Sequence, residues 1–233
     1  MSNAVAIIPA RGGSKRIPKK NIKEFHNKPL IAYSIEVALK SKLFKKVIVS
    51  TDDIEIAKIA KEYGAEVPFI RPPELSDDFT GTGAVVEHTI DYLKSQGENI
   101  EFVCTIYATA PMLKEKYLIE GFKRLKESDA HMAFSVTSMP FPIQRTFKMT
   151  RDGRCKMFTP EYFTSRSQDL EEAYQDAGQF YWKNLKNKAS DIAFGKDSIP
   201  IILPRHLVQD IDTLEDWKRA ELMYEILQKE DDV

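Results

Sequence analysis

The residues best suited to chemistry cluster near the amino end of this 233-residue chain. An apolar run at 5–8 breaks into Pro9-Ala10-Arg11-Gly12-Gly13-Ser14-Lys15-Arg16-Ile17-Pro18-Lys19-Lys20-Asn21, with Lys23 just beyond. A buried strand that empties into a Gly-rich basic loop reads as an anion site. Gly12 and Gly13 can take backbone angles that aim consecutive N–H groups at one anion. Arg11 can clamp phosphate oxygens with its planar fork, and Lys15 adds a mobile point charge. The plain alternative is a solvated basic loop. Its place after a strand favours phosphate, because open α/β sheets bind ligands outside the carboxyl ends of their strands. Gly-x-x-x-x-Gly-Lys-Ser and Gly-x-Gly-x-x-Gly are both absent, which excludes a P-loop and leaves a dinucleotide fold without its fingerprint.

A second constellation lies near the other end. Asp210 and Asp212 are two residues apart, so in extended chain they share a side while Ile211 turns inward. Two carboxylates aimed at a polyphosphate would repel it unless a cation lay between them. Mg²⁺ suits that task, since it takes few protein oxygens and shares the rest with phosphate and water. The alternative is a pair of acids near a helix start, where the dipole favours negative charge.

The elements that must position these groups follow from pattern. Helical spacing is expected from Leu30 through Ile31, Ile35 and Ala38, then a strand at 47–51, with Asp52 or Asp53 capping the next helix. Ile56, Ile59, Ala60 and Tyr63 form that helix's buried stripe, and Gly64 ends it. A third short strand is expected at 67–70, a polar loop at 74–83, and a helix carrying Val86, Ile90 and Leu93. Strands at 102–107 and 133–137 flank a helix marked by Leu118, Phe122 and Leu125. Strands alternating with helices predict an α/β fold with a largely parallel sheet.

The rhythm breaks at 138–168. Phe147 and Met149 precede Asp152-Gly153, and Cys155 and Met157 follow. A loop with Gly153 left-handed pairs Met149 with Cys155 and Phe147 with Met157, keeping the apolar side chains on one face. Such a hairpin is marginal alone, so a second subunit is the expected cover, with folding back on its own core as the alternative. Residues 174–182 are aromatic and strand-prone, interrupted at Ala177-Gly178; a last strand is expected at 199–203. Thr213 and Asp216 read as a capping box for a final helix with Trp217, Ala220, Tyr224 and Leu227 buried and fraying from 230.

Net charge is −1, so the basic loop is a local feature and a general nucleic-acid field is not expected. Cys104 and Cys155 lack metal-ligand spacing and read as reduced thiols in a cytoplasmic protein. His26, His88, His131 and His206 are scattered and read as structural. No stretch has the length of a membrane span, and no leader is expected.

Taken in order, Ala-Arg-Gly-Gly-Ser-Lys-x-Ile-Pro-x-Lys-Asn, Val-Ile-Val-Ser-Thr-Asp, Arg-Pro-x-Glu-Leu and Asp-x-Asp resemble the sugar-acid cytidylyltransferases, the CMP-sialic acid synthetase family, along almost the whole chain. The resemblance implies a Rossmann-like nucleotidyltransferase fold, a largely parallel mixed sheet with helices on both faces. It implies one domain over 1–233 with a protruding β-hairpin dimerisation arm at about 138–170, and a homodimer. Its chemistry would be attack by the anomeric hydroxyl of a nine-carbon sugar acid on the α-phosphate of CTP, with Mg²⁺ as cofactor and pyrophosphate leaving. Tyr107-Ala108-Thr109-Ala110-Pro111 and Tyr174-Gln175-Asp176-Ala177-Gly178-Gln179-Phe180-Tyr181-Trp182 look most like the members that activate pseudaminic acid.

The same resemblance implies roles. Arg11, Gly12, Gly13, Ser14, Lys15 and Lys20 would hold the triphosphate, Asn21 and Arg71 the cytosine, with Thr80 and Thr82 beside it. Tyr107, Thr109, Gln179 and Tyr181 would face the sugar, Asp210 and Asp212 the metal, and Lys15, Arg11 and Asp212 would carry catalysis. Sialate enzymes typically read Gln-Pro-Thr-Ser-Pro-Leu-Arg where this chain has 107–113; the Gln is Tyr107 and the Arg is Leu113. Arg16 also stands where they usually have Gly. The rivals are the same chemistry on N-acetylneuraminic, legionaminic or Kdo-type acids, a nucleotide-binding regulatory protein without turnover, and an RNA-binding module built on the basic cluster.

Overall fold

A computed structural model describes residues 3–190 and 192–231. Along β1 (Ala4–Pro9), Ala4, Ala6 and Ile8 face one layer while Val5 and Ile7 face the other, and all five side chains are buried. A strand apolar on both faces belongs in the middle of a covered sheet. Two short strands, β2 (Glu24–Phe25) and β3 (Lys28–Pro29), then lead into α1 (Leu30–Ser41). β4 (Lys46–Ser50) pairs with β1 in parallel, as does β5 (Phe102–Ile106) on its other side. Between them run α2 (Ile54–Glu62) and α3 (Thr82–Ser95). After β5 come α4 (Glu115–Lys126), β6 (Met132–Ser138), the hairpin β7 (Phe147–Met149) and β8 (Cys155–Met157), then β9 (Tyr174–Asn184), β10 (Ser198–Ile202) and α5 (Leu214–Asp231).

The six-stranded sheet has the order β10-β6-β9-β5-β1-β4. β9 runs antiparallel to both β5 and β6, and the remaining pairings are parallel, so the sheet is mixed, as expected. Residues Ala4, Ala6 and Ile8 pack in a cluster with Ile31 and Ile35 of α1, Ile56 and Ala60 of α2, and Leu118 and Leu125 of α4. Val5 and Ile7 meet Val86, Ile90 and Leu93 of α3 on the opposite face. Trp182 of β9 is fully buried, stacked on Phe44 at 5.1 Å, with its indole N–H donated to the Leu118 carbonyl.

Local capping follows the residue types. Asp53 accepts hydrogen bonds from the backbone of Glu55 and Ile56, capping α2, and Gly64 follows that helix at φ 92°. Thr213 and Asp216 form the expected reciprocal box, Thr213 Oγ1 accepting from the Asp216 N–H at 3.2 Å and an Asp216 carboxylate oxygen accepting from the Thr213 N–H at 2.8 Å. In the hairpin, Met149 opposes Cys155, Phe147 opposes Met157, and Gly153 has φ 76°. Residues 230 and 231, where fraying was expected to begin, continue α5, and 232–233 lie outside the described residues.

Two expectations need correction. The stretch 67–70 is not a strand; only Glu66 makes a parallel bridge, to Ile48. Pro68 offers no N–H to extend the ladder, and Phe69 turns away to pack edge-on against His88 and Tyr92 of α3. The polar loop is also shorter than expected, since the helical turn already begins at Thr82.

Gly121 of α4 lies tight against the sheet. A Cβ there would sit 3.0 Å from Trp182 and 3.1 Å from Phe180, two fully buried rings with no room to retreat. Gly121→Val is expected to cost about 1–3 kcal/mol by overpacking, read as a lowered denaturant midpoint with unchanged slope. A wild-type midpoint would mean that α4 does not press on these rings as described.

Candidate functional site

The cavity that gathers the candidate residues opens at the carboxyl edge of the sheet and encloses about 410 Å³. Pro9 at the end of β1 and Tyr107, Ala108 and Thr109 after β5 form its floor. Arg11, Ser14, Lys15, Arg16, Lys20 and Asn21 line one wall, and Arg71, Asp77, Asp78, Thr80, Gly81 and Thr82 line another. Thr82 and Val85 belong to the first turn of α3, so the positive end of that helix faces the cavity. Asp212 reaches it from the carboxyl-terminal part of the chain. Lys15 and Asp212, separated by almost the whole sequence, therefore share one space.

The basic loop is held by apolar burial as well as by charge. Ile17 and Ile211 are both buried in one cluster with Phe25, Leu30, Tyr33, Trp217 and Ala220. Lys20, only 18% exposed in its side chain, donates to the Ile211 carbonyl at 2.6 Å and pairs with Asp212 at 3.3 Å. Asn21 is buried and donates its amide to the Arg11 carbonyl at 2.9 Å, which fixes the loop's first turn.

Every basic wall residue named above has an internal counter-ion. Arg11 pairs with Asp78 at 2.9 Å and also donates to the Asp77 carbonyl at 3.0 Å; Lys15 pairs with the other oxygen of Asp78. Arg16 pairs with Asp212 at 2.8 Å. Arg71, buried to 4% exposure, donates to Asp52 at 3.3 Å and to Ser76 Oγ at 3.3 Å. Burial lowers the Arg71 pKa from its ordinary value, opposed by the Asp52 carboxylate.

Gly12 and Gly13 do not line the cavity. The Gly12 N–H donates to Asp52 at 2.9 Å, so it does not point at an open anion site. Glycine is needed there for another reason: a Cβ would lie 2.8 Å from the capping carboxylate of Asp53. Asp210 lies outside the cavity lining as well. Its carboxyl is pushed above the usual range by desolvation first and by the neighbouring Asp212 second. Two like charges so placed, with Ile211 buried between them, fit a divalent cation that takes its other oxygens from a ligand. Among the described residues, no group of three or more His, Cys, Asp or Glu could hold a metal unaided.

The expected sugar-side residues divide. Tyr107 and Thr109 line the cavity, whereas Gln179 and Tyr181 stand behind it. The Tyr181 ring lies 5.3 Å from that of Tyr107, and its hydroxyl donates to Asp176 at 2.6 Å. Burial, then the bond to Asp176, pushes the Tyr181 phenol up, so it remains a donor. Gln179 is buried; its side-chain N–H group donates to the Leu207 carbonyl and its backbone carbonyl accepts from the Tyr107 N–H at 2.9 Å. The functional neighbours that sequence reasoning passed over are Asp52, Asp78 and Asp176. Asp52 and Asp176 stood inside motifs that carried the resemblance, and Asp78 lay in the doubled acid Asp77-Asp78 of the polar loop.

Comparison with known proteins shows what the chain is similar to. A family model described as cytidylyltransferase matches residues 5–202. A pseudaminic acid cytidylyltransferase of Campylobacter jejuni is 44% identical over 95% of this chain and 96% of its own length. A CMP-N,N'-diacetyllegionaminic acid synthase of Legionella pneumophila is 32% identical over 97% of each chain. The solved structure of a CMP:2-keto-3-deoxy-manno-octonic acid synthetase complexed with CTP shares the fold at a TM-score of 0.68, with 16% identity, covering 98% of this chain and 100% of that one.

Asp52 ties the strand end, the basic loop and a buried guanidinium together. Asp52→Ala would strand Arg71 and free the Gly12 N–H, at a cost of about 2 kcal/mol, the scale of lost hydrogen bonds to a charged group. Equilibrium unfolding in denaturant measures it; a change near zero would show that Arg71 has another adequate partner.

Proposed function

Because the chain belongs to the cytidylyltransferase family, we propose that it transfers CMP from CTP to the anomeric hydroxyl of a nine-carbon sugar acid, pseudaminic acid, releasing pyrophosphate. The observation that carries this reading is the single cavity lined by both Lys15 and Asp212. The substrate is supported by relatives named for pseudaminic acid and by Tyr107 and Leu113 standing where sialate enzymes typically have an amide and a guanidinium.

The roles follow from charge and position. Arg11 and Lys15 hold the β- and γ-phosphates and offset the charge that builds on departing pyrophosphate. Ser14 and the first turn of α3 add hydrogen-bond donors, and Lys20 keeps the loop in register with Asp212. Asn21, Arg71, Thr80 and Thr82 surround the nucleoside. Tyr107 and Thr109 contact the sugar acid, with Tyr181 and Gln179 positioning that wall from behind. Asp210 and Asp212 would hold Mg²⁺, which would supply positive charge to the phosphates and to the attacking side. Arg16 must then release the Asp212 carboxylate that it holds here.

Residues 1–233 act as one catalytic unit with a dimerisation arm at about 138–170, and the working form is a homodimer. The support is an exposed apolar surface on that arm: Phe141, Phe147, Met149, Phe158 and Phe163 are each more than half exposed. Such a patch needs cover. The unpaired Cys104 and Cys155 support a reducing, cytoplasmic setting.

Pyrophosphate release from CTP across a panel of sugar acids tests the assignment. Pseudaminic acid should give the highest kcat/KM; preference for N-acetylneuraminic, legionaminic or Kdo-type acids would reassign the substrate, and no release with any acid would overturn the enzyme reading. Lys15→Ala and Asp212→Ala should each lower turnover by at least ~10²-fold with the fold intact, the scale of a lost electrostatic stabiliser. Near-normal turnover would remove that residue from the chemistry. Light scattering should return twice the 26.7 kDa chain mass; a monomer at working concentration would dismiss the arm's role.

A further inference from the structure

The cation grip assigned to the triphosphate already holds an anion of the protein's own. One Asp78 oxygen accepts from Arg11 at 2.9 Å and the other pairs with Lys15, so a single carboxylate bridges the two side chains. The loop is shaped to deliver it. Asp77 Oδ1 accepts from the backbone N–H groups of Phe79 and Thr80 at 3.0 and 2.7 Å, and Arg11 also holds the Asp77 carbonyl. That turn directs Asp78 into the cavity while the Phe79 ring stays 93% exposed outside it. The bridge is wet: the side chains of Lys15 and Asp78 are 79% and 37% exposed. Exposed pairs of this kind are weak and yield to a stronger competitor.

We propose that Asp78 is a resident placeholder anion. It occupies Arg11 and Lys15 in the ligand-free protein, gives way to the polyphosphate of the incoming nucleotide, and returns as pyrophosphate departs. This rests on the nucleotide reading above and adds a device to it. A polyphosphate carries more charge and more oxygens than one carboxylate, so it wins the exchange. Reoccupation by Asp78 then competes with pyrophosphate for the same two cations and weakens its hold. A nucleoside monophosphate has no β- or γ-phosphate to contest them, so its binding leaves Asp78 in place.

The test is calorimetric titration of wild type and Asp78→Asn with CTP, pyrophosphate and CMP, with and without Mg²⁺. Asp78→Asn keeps the side-chain shape and removes the charge. The Kd values for CTP and pyrophosphate should fall about 3- to 10-fold, CMP should be unchanged, and Asp78→Glu should return CTP affinity toward wild type. Unchanged CTP and pyrophosphate affinities overturn the placeholder. Equal tightening of all three overturns it too, because it would report only the removal of a nearby negative charge. Weaker Mg²⁺-dependent binding of CTP overturns it in favour of Asp78 as a metal ligand. Failure of wild type to bind CTP while pyrophosphate tightens in Asp78→Asn would instead strike the nucleotide reading and leave the placeholder standing.

Discussion

The whole site depends on one small apolar cluster. Ile17, in the middle of the cationic loop, and Ile211, between the two acids, are buried in the same cluster. Ion pairs at the surface are too weak and too easily screened to hold two distant segments in register. Burying an isoleucine contributes about 1.5–3 kcal/mol, which salt does not remove. Around the pair, Phe25 meets Tyr33, Trp217 and Tyr224 edge-on at 5.5–5.6 Å, and the ammonium of Lys23 lies 4.9 Å from the centre of the Trp217 ring. The loop is therefore anchored by carbon and aimed by charge. Capping of α5 by Thr213 and Asp216, immediately after Asp212, fixes the second side of the same arrangement.

The cations of the cavity outnumber the carboxylates that hold them. Arg11 and Lys15 share Asp78, Arg16 and Lys20 share Asp212, and Arg71 holds Asp52. These pairs differ in depth, and depth decides which of them can open. Arg71 and Asp52 are largely buried, and Asp52 also accepts from the Gly12 N–H, so that pair is part of the frame. Arg16, Lys15 and Asp78 are exposed enough to exchange partners at small cost. Framework pairs inside and exchangeable pairs at the mouth give a pocket that keeps its shape while its charges are replaced.

Much of this was legible in residue order because it is local. The apolar alternation of β1, the caps Asp53 and Thr213, and the pairing of Met149 with Cys155 all follow from short-range pattern and turn chemistry. The resemblance in turn gave most of the residues that line the cavity. What escaped was set by tertiary context. Residues 67–70 have strand composition, but Pro68 and the rings of α3 draw them off the sheet edge. Gly12 looks like an anion cradle by its neighbours, yet it is glycine because Asp53 crowds it. Gln179 and Tyr181 lie on β9, whose antiparallel insertion between β5 and β6 sets them behind Tyr107. No pattern in the chain announced that insertion, nor that Asp78 would fold back onto Arg11.

The same insertion has an architectural consequence. Ser138 and Tyr174 face one another in register where β6 and β9 pair, so the intervening excursion leaves and re-enters the sheet at adjacent positions. Closing such a gap costs little more entropy for a long excursion than for a short one. Its length and composition can thus drift under pressures from whatever it touches, with the catalytic body unaffected. The fold keeps two parts distinct: the sheet that carries the cavity, and an excursion joined to it where Ser138 and Tyr174 pair.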